Sequence, residues 1–572
     1  MPGLRTELGQ FTILSAHFFG RLFRNETVDF EDQMKEKLYV ALTLLAVFFA
    51  WASWLMLFKY HFVADLNRSW QEKNYIFTLM MLVFALITLL EWDILFPDRQ
   101  DFLNLTPLPV RLRTVFAAKL ASFVMFVGLF SVAMMSVSAV LFSIYLAEWR
   151  AKSLALAGRY VVSHVLAGFA AALAVFFTFV FLQFLLMALL PQDLYKRVSL
   201  AVRFLLIVVL VFLLLSFIAA PSVLGRSFHD LGDLKENGDM FMFRFPPLWF
   251  VGLYEVLLGT RDAVFIAEAR TAGLSLLAAL LAFAAASGLS YRRHLRKTLE
   301  VQKSGPAFFR VREGWRKALA ATVLRTPEER TVYGFFADTL RASSIHRTAF
   351  SYYLAVGAAA ILLLAVAYRE AFRLLTPDNG FLLAQPLLLA FTIIAGIRVL
   401  VDQPAASEAN WVFQMTETGA TRRYLDGLKK AVFIKLVLPL FLAVFALHAF
   451  LWDPGLAFVH AAFGTVVSGL AVAGAFFHYR KVPFACTYVP GKMKLHFTAI
   501  PALIGLLLTM MALTAIEKAV LDDPVRNGAA VLAGAAVLGL ALRLGNRRFY
   551  RGNGLIYEDE PESAMVELPG EF

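Results

Sequence analysis

The sequence predicts an all-α polytopic membrane protein with about twelve transmembrane helices in two pseudo-symmetric six-helix halves. Three observations predict it. Hydrophobic residues make up 59% of the 572 and charged residues only 17%, with a mean hydropathy of +0.67. That is more apolar surface than a soluble chain of this size can hide, so lipid must act as part of its solvent. The apolar residues also gather into runs of roughly 20, the length that carries a helix across ~30 Å of hydrocarbon at ~1.5 Å per residue. Finally, the basic residues are shared unevenly among the segments between those runs.

Taken in order, residues 1–37 form a charged leader with an amphipathic stretch, and the first half follows at 38–290. Its predicted spans are 38–58, 75–96, 115–146, 160–190, 200–220 and 263–289, the third and fourth long enough to tilt or project beyond the bilayer. A basic linker with its own amphipathic stretch occupies 291–350. The second half, 351–545, has predicted spans at 351–367, 381–401, 431–451, 455–477, 499–516 and 528–544. The tail, 546–572, turns acidic at Glu558, Asp559, Glu560, Glu562, Glu567 and Glu571 and reads as a disordered segment. No cleavable leader is visible, so the N-terminus is expected to be retained.

Placing the N-terminus inside puts 37 of the 54 Lys and Arg residues on the inner side and 14 on the outer, with Arg270, Arg398 and Lys435 inside spans. This asymmetry predicts an integral protein of the bacterial inner membrane with both termini cytoplasmic. The same placement explains the net charge of +12 without nucleic acid as a partner.

Each half opens with an amphipathic segment, residues 11–23 and 332–341, whose apolar face and terminal Arg suit a helix lying in the inner interface. Packing inside a soluble subdomain is the alternative. Each half also has an unusual connection between spans two and three. In the first, Asp101-Phe-Leu-Asn-Leu-Thr-Pro leads to the basic pair Arg111 and Arg113, then Lys119. In the second, an acidic stretch leads through Asn410-Trp-Val-Phe-Gln-Met415 and Gly419 to Arg422 and Arg423, then Lys429 and Lys430. A hydrophobic helix set between charged turns is stable only when something buries it, at ~25 cal/mol per Å². A groove on a partner, or the membrane interface, could do so. Between spans five and six, residues 246–259 are apolar yet too short to cross, which suits a re-entrant or interfacial helix on the outer side or one capping the bundle.

On these residues the chain resembles the membrane subunit of an ABC exporter of the ABC-2 permease type. Members share an interfacial helix before the first span, a hydrophobic coupling helix between spans two and three, and a short outer helix between spans five and six. The stretch from Phe102 to Leu120, with Leu108-Pro-Val-Arg111 and Lys119-Leu120, is similar to the family's pattern. The second connection departs from it, with Gly419 near the proline position and Glu417 interrupting the apolar face. The family's subunits have six spans and dimerise, so two halves are fused here. The resemblance implies an ATP-driven exporter subunit coupled to a separate ATPase, in two copies. Its coupling residues would be Asp101, Phe102, Leu103, Leu105, Arg111 and Arg113, with Trp411, Phe413, Met415, Arg422 and Arg423.

The chain carries no G-x-x-x-x-G-K-[ST] motif, so a nucleotide would have to bind elsewhere. The histidines His164, His448, His460 and His478 have no ligand spacing, and the single Cys486 has no partner cysteine, so no metal, cofactor or catalytic residue is expected. Glu91 and Asp93 are expected to pair with nearby basic residues. The rival reading is a secondary transporter of six plus six spans, which ordinarily places carboxylates in mid-membrane. The predicted span centres are nearly free of them, with Glu268 near an outer end, within reach of Arg270. The 55 Phe suit an amphiphilic cargo, and membrane lipid would cover many of them.

Overall fold

The computed structural model describes residues 2–21, 31–61, 69–92, 110–150, 153–219, 241–298, 319, 322–367, 376–377, 379–405, 409–486 and 495–557. Nearly all of them are helical. The one β-bridge among them joins Lys481 to Ile556. Eleven helices are long and apolar enough to cross a membrane, and a further 28-residue helix, Leu495–Asp522, occupies the position of the remaining predicted span. The protein is an all-α integral membrane protein. The chain divides into two compact units, Met1–Gln302 and Lys303–Phe572.

In the first unit the helices are α1 (Pro2–Arg21), α2 (Glu31–Leu57), α3 (Ser69–Leu90), α4 (Leu112–Arg150), α5 (Leu154–Leu189), α6 (Gln192–Ala219), α7 (Pro246–Leu258) and α8 (Ala263–Thr298). The long stretches read as projecting beyond the bilayer are α4 and α5, of 39 and 36 residues. α5 is the hub, packing against α3, α4, α7 and α8. Ala167, Ala171 and Ala172 are buried along it, and small side chains allow the close helix approach that drives association in lipid. The amphipathic stretch near the N-terminus is α1, which lies against α4 with Phe18 buried and Lys119 over its ring at 5.7 Å. The apolar segment too short to cross is α7. It is packed into the unit against α8, α5 and α3, with Leu248, Phe250, Val251 and Tyr254 buried.

The second unit comprises α9 (Pro327–Ala342), α10 (Ser344–Ala367), α11 (Gly380–Leu400), α12 (Ala409–Thr416), α13 (Thr421–Val432), α14 (Leu438–His448), α15 (Pro454–Ala475), α16 (Leu495–Asp522) and α17 (Arg526–Phe549). α13 runs into α14 through a π-turn at Phe433–Val437. Pro439 accounts for that turn, because it has no N–H to give the carbonyl of Lys435 and its ring crowds that residue. α17 buries none of its most apolar window, and Leu532, Val537, Leu538 and Leu540 are exposed along it. Such a surface is stable only in an apolar solvent.

The helix α9 differs from its expectation. Its apolar face, Val332, Tyr333 and Phe336, is buried in protein against α13. Contact is close because Gly427 of α13 has no side chain: a Cβ there would lie 2.8 Å from the carbonyl oxygen of Glu329. The N-terminus of α9 is sharply defined. Thr326 accepts from the N–H of Glu329 at 3.3 Å, Pro327 follows, and Glu329 reaches back to the N–H of Arg325 at 2.9 Å.

Candidate functional site

The predicted coupling residues of the first half divide in two. Asp101, Phe102, Leu103 and Leu105 lie outside the described residues, as does the side chain of Arg113 in the first turn of α4. Arg111 is exposed and pairs with Glu7 of α1 at 2.5 Å. As an exposed pair it contributes at most ~1 kcal/mol.

In the second half the connection forms as a helix. α12 presents Trp411, Val412 and Met415 outward, with Trp411 57% and Met415 77% exposed. Phe413 points the other way: it is 5% exposed and meets the ring of Phe335 on α9 at 5.3 Å. A Trp and a Met left open on an eight-residue helix form a surface that gains from burial, at ~1.5–3 kcal/mol for each large side chain. Gly419, at φ +70°, turns the chain from α12 into α13, a conformation that glycine adopts without steric cost.

Polar contacts hold this helix in place. Asn410 donates to the carbonyl of Tyr557 at 2.8 Å, and the Tyr557 hydroxyl donates to the Glu417 carboxylate at 2.5 Å. Glu417 is therefore fixed by the chain's C-terminal segment. That segment is itself secured by Ile556 N–H to Arg480 at 2.9 Å, by Arg480 Nε to Gly554 at 2.9 Å, and by the Tyr550 hydroxyl to the Tyr479 carbonyl at 2.7 Å. Burial and the neighbouring carboxylate push the Tyr557 phenol well above its ordinary range, so it remains a donor.

Two basic residues of α13 are held by acids of α9, and a third pairs within α13 itself. Arg423 faces Glu328 at 3.7 Å, Lys430 pairs with Glu329 at 2.7 Å and donates to the carbonyl of Val323 at 2.9 Å, and Arg422 lies 3.5 Å from Asp426. Thr418 also donates to Glu328 at 3.1 Å. The backbone N–H at the start of α9, with Thr326, Thr418 and Arg423, holds the Glu328 carboxyl below its ordinary value despite the opposing effect of burial. Arg423 thus ties α13 to α9. Arg398, inside a predicted span, pairs with Asp402 at 2.7 Å and lies 4.7 Å over the Tyr479 ring.

Sequence reasoning missed two buried polar clusters at the opposite ends of the units. In the first unit Lys73 pairs with Glu255 of α7, Thr260 donates to the same carboxylate at 2.8 Å, and Tyr60 donates to Glu72 at 2.8 Å. Lys73 Nζ stands 4.8 Å from the Tyr254 ring centre. Beside it, His164 on α5 contacts Ser138 at 3.2 Å. In the second unit His460 on α15 and Glu517 on α16 meet at 2.5 Å. The available signals were a carboxylate within an otherwise apolar 13-residue segment (Glu255) and a histidine near the start of span four in each half. Glu268 lies in α8, and one of its carboxylate oxygens has no hydrogen-bond partner among the described residues.

Comparison with protein-family models, with curated proteins and with solved structures finds no match to this chain.

Proposed function

We propose that this chain is the permease subunit of an ATP-driven exporter of the ABC-2 type, with ATP hydrolysed on a separate subunit bound in two copies. In this reading it resides in the bacterial inner membrane with both termini in the cytoplasm. The membrane part moves an amphiphilic cargo and performs no chemistry of its own.

The observation that carries the reading is the pairing on α12 of an exposed apolar face, Trp411 and Met415, with a buried anchor, Phe413. The anchor makes the helix rigid enough to transmit force, and α12 leads through Gly419 into α13 and α14, a spanning segment of the second unit. A partner's apolar groove that covered Trp411 and Met415 would therefore push on a span. Aromatic side chains at the centre of an interface commonly supply most of its binding energy.

A photo-activatable phenylalanine analogue placed at position 411 of the full chain, in intact cells, tests this. The expected product is a covalent adduct with an ATP-hydrolysing polypeptide. Capture of lipid alone would assign α12 to the membrane interface instead.

A second reading, ion-coupled secondary transport, is favoured by one observation: ionisable groups are buried against one another at Lys73–Glu255 and at His460–Glu517. Buried charges in spanning segments are costly and often belong to ion or proton pathways.

A further inference from the structure

Both units place a buried histidine near the start of their fourth span, His164 on α5 and His460 on α15. The countercharges differ. In the first unit the buried carboxylate Glu255 faces Lys73, whose ammonium titrates far from neutrality in water. In the second unit the buried carboxylate Glu517 faces the imidazole of His460, the one side chain whose ordinary titration falls near neutral pH.

The second cluster is closed and incompletely bonded. His460 is 1% exposed and Glu517 0%. His460 Nδ1 and Glu517 Oε1 are in direct hydrogen-bond contact at 2.5 Å, and such a contact between two basic atoms needs one proton between them. His448, the last residue of α14, is also buried, with its ring 4.8 Å from that of His460 and stacked on Trp452 at 4.2 Å. Three buried polar atoms here have no hydrogen-bond partner among the described residues: His448 Nδ1, His460 Nε2 and Glu517 Oε2. At the same end, Leu382, Leu383, Trp452 and Leu521 form an apolar cluster.

Charge balance determines what such a site holds. With one proton the His460–Glu517 pair is neutral. With none it is a buried anion, and with two a buried cation, both strongly disfavoured away from water. Among the described residues, no fixed charge nearby relieves this. Of the helices packed on α15, α14 brings His448 and α16 brings Glu517. Asp453, Lys518, Asp522, Asp523 and Arg526, near the same end in sequence, are exposed. Arg398 of α11 is engaged with Asp402 at the other end of its helix, Arg543, Arg547 and Arg548 lie in the last two turns of α17, and Lys435 stands 5.6 Å from the Tyr333 ring of α9.

We propose that His448, His460 and Glu517 form a proton-binding site in the second unit, with one proton shared between His460 Nδ1 and Glu517 and His448 as the next acceptor. The proton moves between carboxylate and imidazole without changing the net charge. It leaves or gains a companion only when the apolar cluster around Trp452 opens to water. The site binds protons whether ATP or an ion gradient powers transport, so it stands independently of the ATPase reading.

Infrared difference spectroscopy of the purified full chain, taken across a pH step from mildly acidic to alkaline, tests it. Raising the pH should draw the shared proton out through openings of the Trp452 cluster to water, giving a buried-carboxyl response that is lost in Glu517→Gln. In His460→Gln the carboxyl should stay protonated across the step, because the imidazole that shares its proton is gone. A wild-type spectrum without a buried-carboxyl response overturns the proposal even if both variants fail to fold. So does a response that persists unchanged in Glu517→Gln or His460→Gln.

Discussion

The hydroxyl of Tyr557 donates to the carboxylate of Glu417 across 140 positions of sequence, at 2.5 Å. This bond ties the last described residue of the chain to the end of α12. With Asn410 on the Tyr557 carbonyl, it clamps the helix at both ends. A helix of eight residues has little stability of its own in water, so its order depends on such tertiary contacts.

Replacing Tyr557 with Phe should therefore loosen α12 locally. The lost hydrogen bond to a charged acceptor is worth about 1.5–3 kcal/mol. Hydrogen exchange of the backbone N–H groups of 409–416 should speed up by roughly tenfold or more, since ~1.4 kcal/mol corresponds to a factor of ten, while the spans stay protected. Unchanged exchange would mean that the clamp is not what orders the helix.

Phe413 and Trp411 should behave oppositely when truncated. Phe413→Ala opens a cavity against Phe335 and should cost about 3–5 kcal/mol, read as a lower thermal midpoint of the detergent-solubilised chain. Trp411→Ala should change that midpoint little, because the side chain is exposed. Equal destabilisation by the two would place Trp411 in the core.

Trp411→Asp with Met415→Asp should leave a folded, membrane-inserted chain that binds the ATPase at least about a hundredfold more weakly. An unpaired charge forced into an apolar interface costs several kcal/mol, and ~1.4 kcal/mol is tenfold in affinity. Co-purification and ATP hydrolysis should both fall. Retention of both at wild-type levels would remove α12 from the interface.

Glu328 gives a pH dependence. Its carboxyl is held below the ordinary value, chiefly by the backbone N–H at the start of α9 and also by Thr326, Thr418 and Arg423. A depressed carboxyl contributes stability that is present in full above the unfolded value of about 4.3 and is lost as pH falls through the lower folded value. Stability of the α9–α13 contact, followed by hydrogen exchange, should therefore drop on the acid side in the wild type. In Glu328→Gln this part of the drop should be absent. A variant with the same acid-side loss would show that other carboxylates control it.

Much of the fold was legible because the spanning helices write themselves as long apolar runs, which need no knowledge of neighbours. All twelve predicted spans coincide with helices, and α12 falls where Trp411, Phe413 and Met415 had marked a short apolar helix. What stayed hidden depends on tertiary placement. Nothing local says that Val332, Tyr333 and Phe336 turn toward α13 and its Gly427 rather than toward lipid, since both solvents accept an apolar face. His460 and Glu517 are 57 residues apart on different helices, and Glu517 lay one residue past its predicted span, so their pairing left no periodic trace. Glu417 read as a flaw in an apolar face until Tyr557 was seen to hold it.

The most direct measurement is the mass and ATPase activity of the intact assembly, extracted from its own membrane under conditions that keep subunits together. The expected assembly is one 63.8 kDa chain with two copies of a separate ATPase, and its ATP hydrolysis falls with Trp411→Asp and Met415→Asp. A chain that emerges with no ATPase subunit, and moves cargo in liposomes under a proton or sodium gradient without ATP, would contradict it.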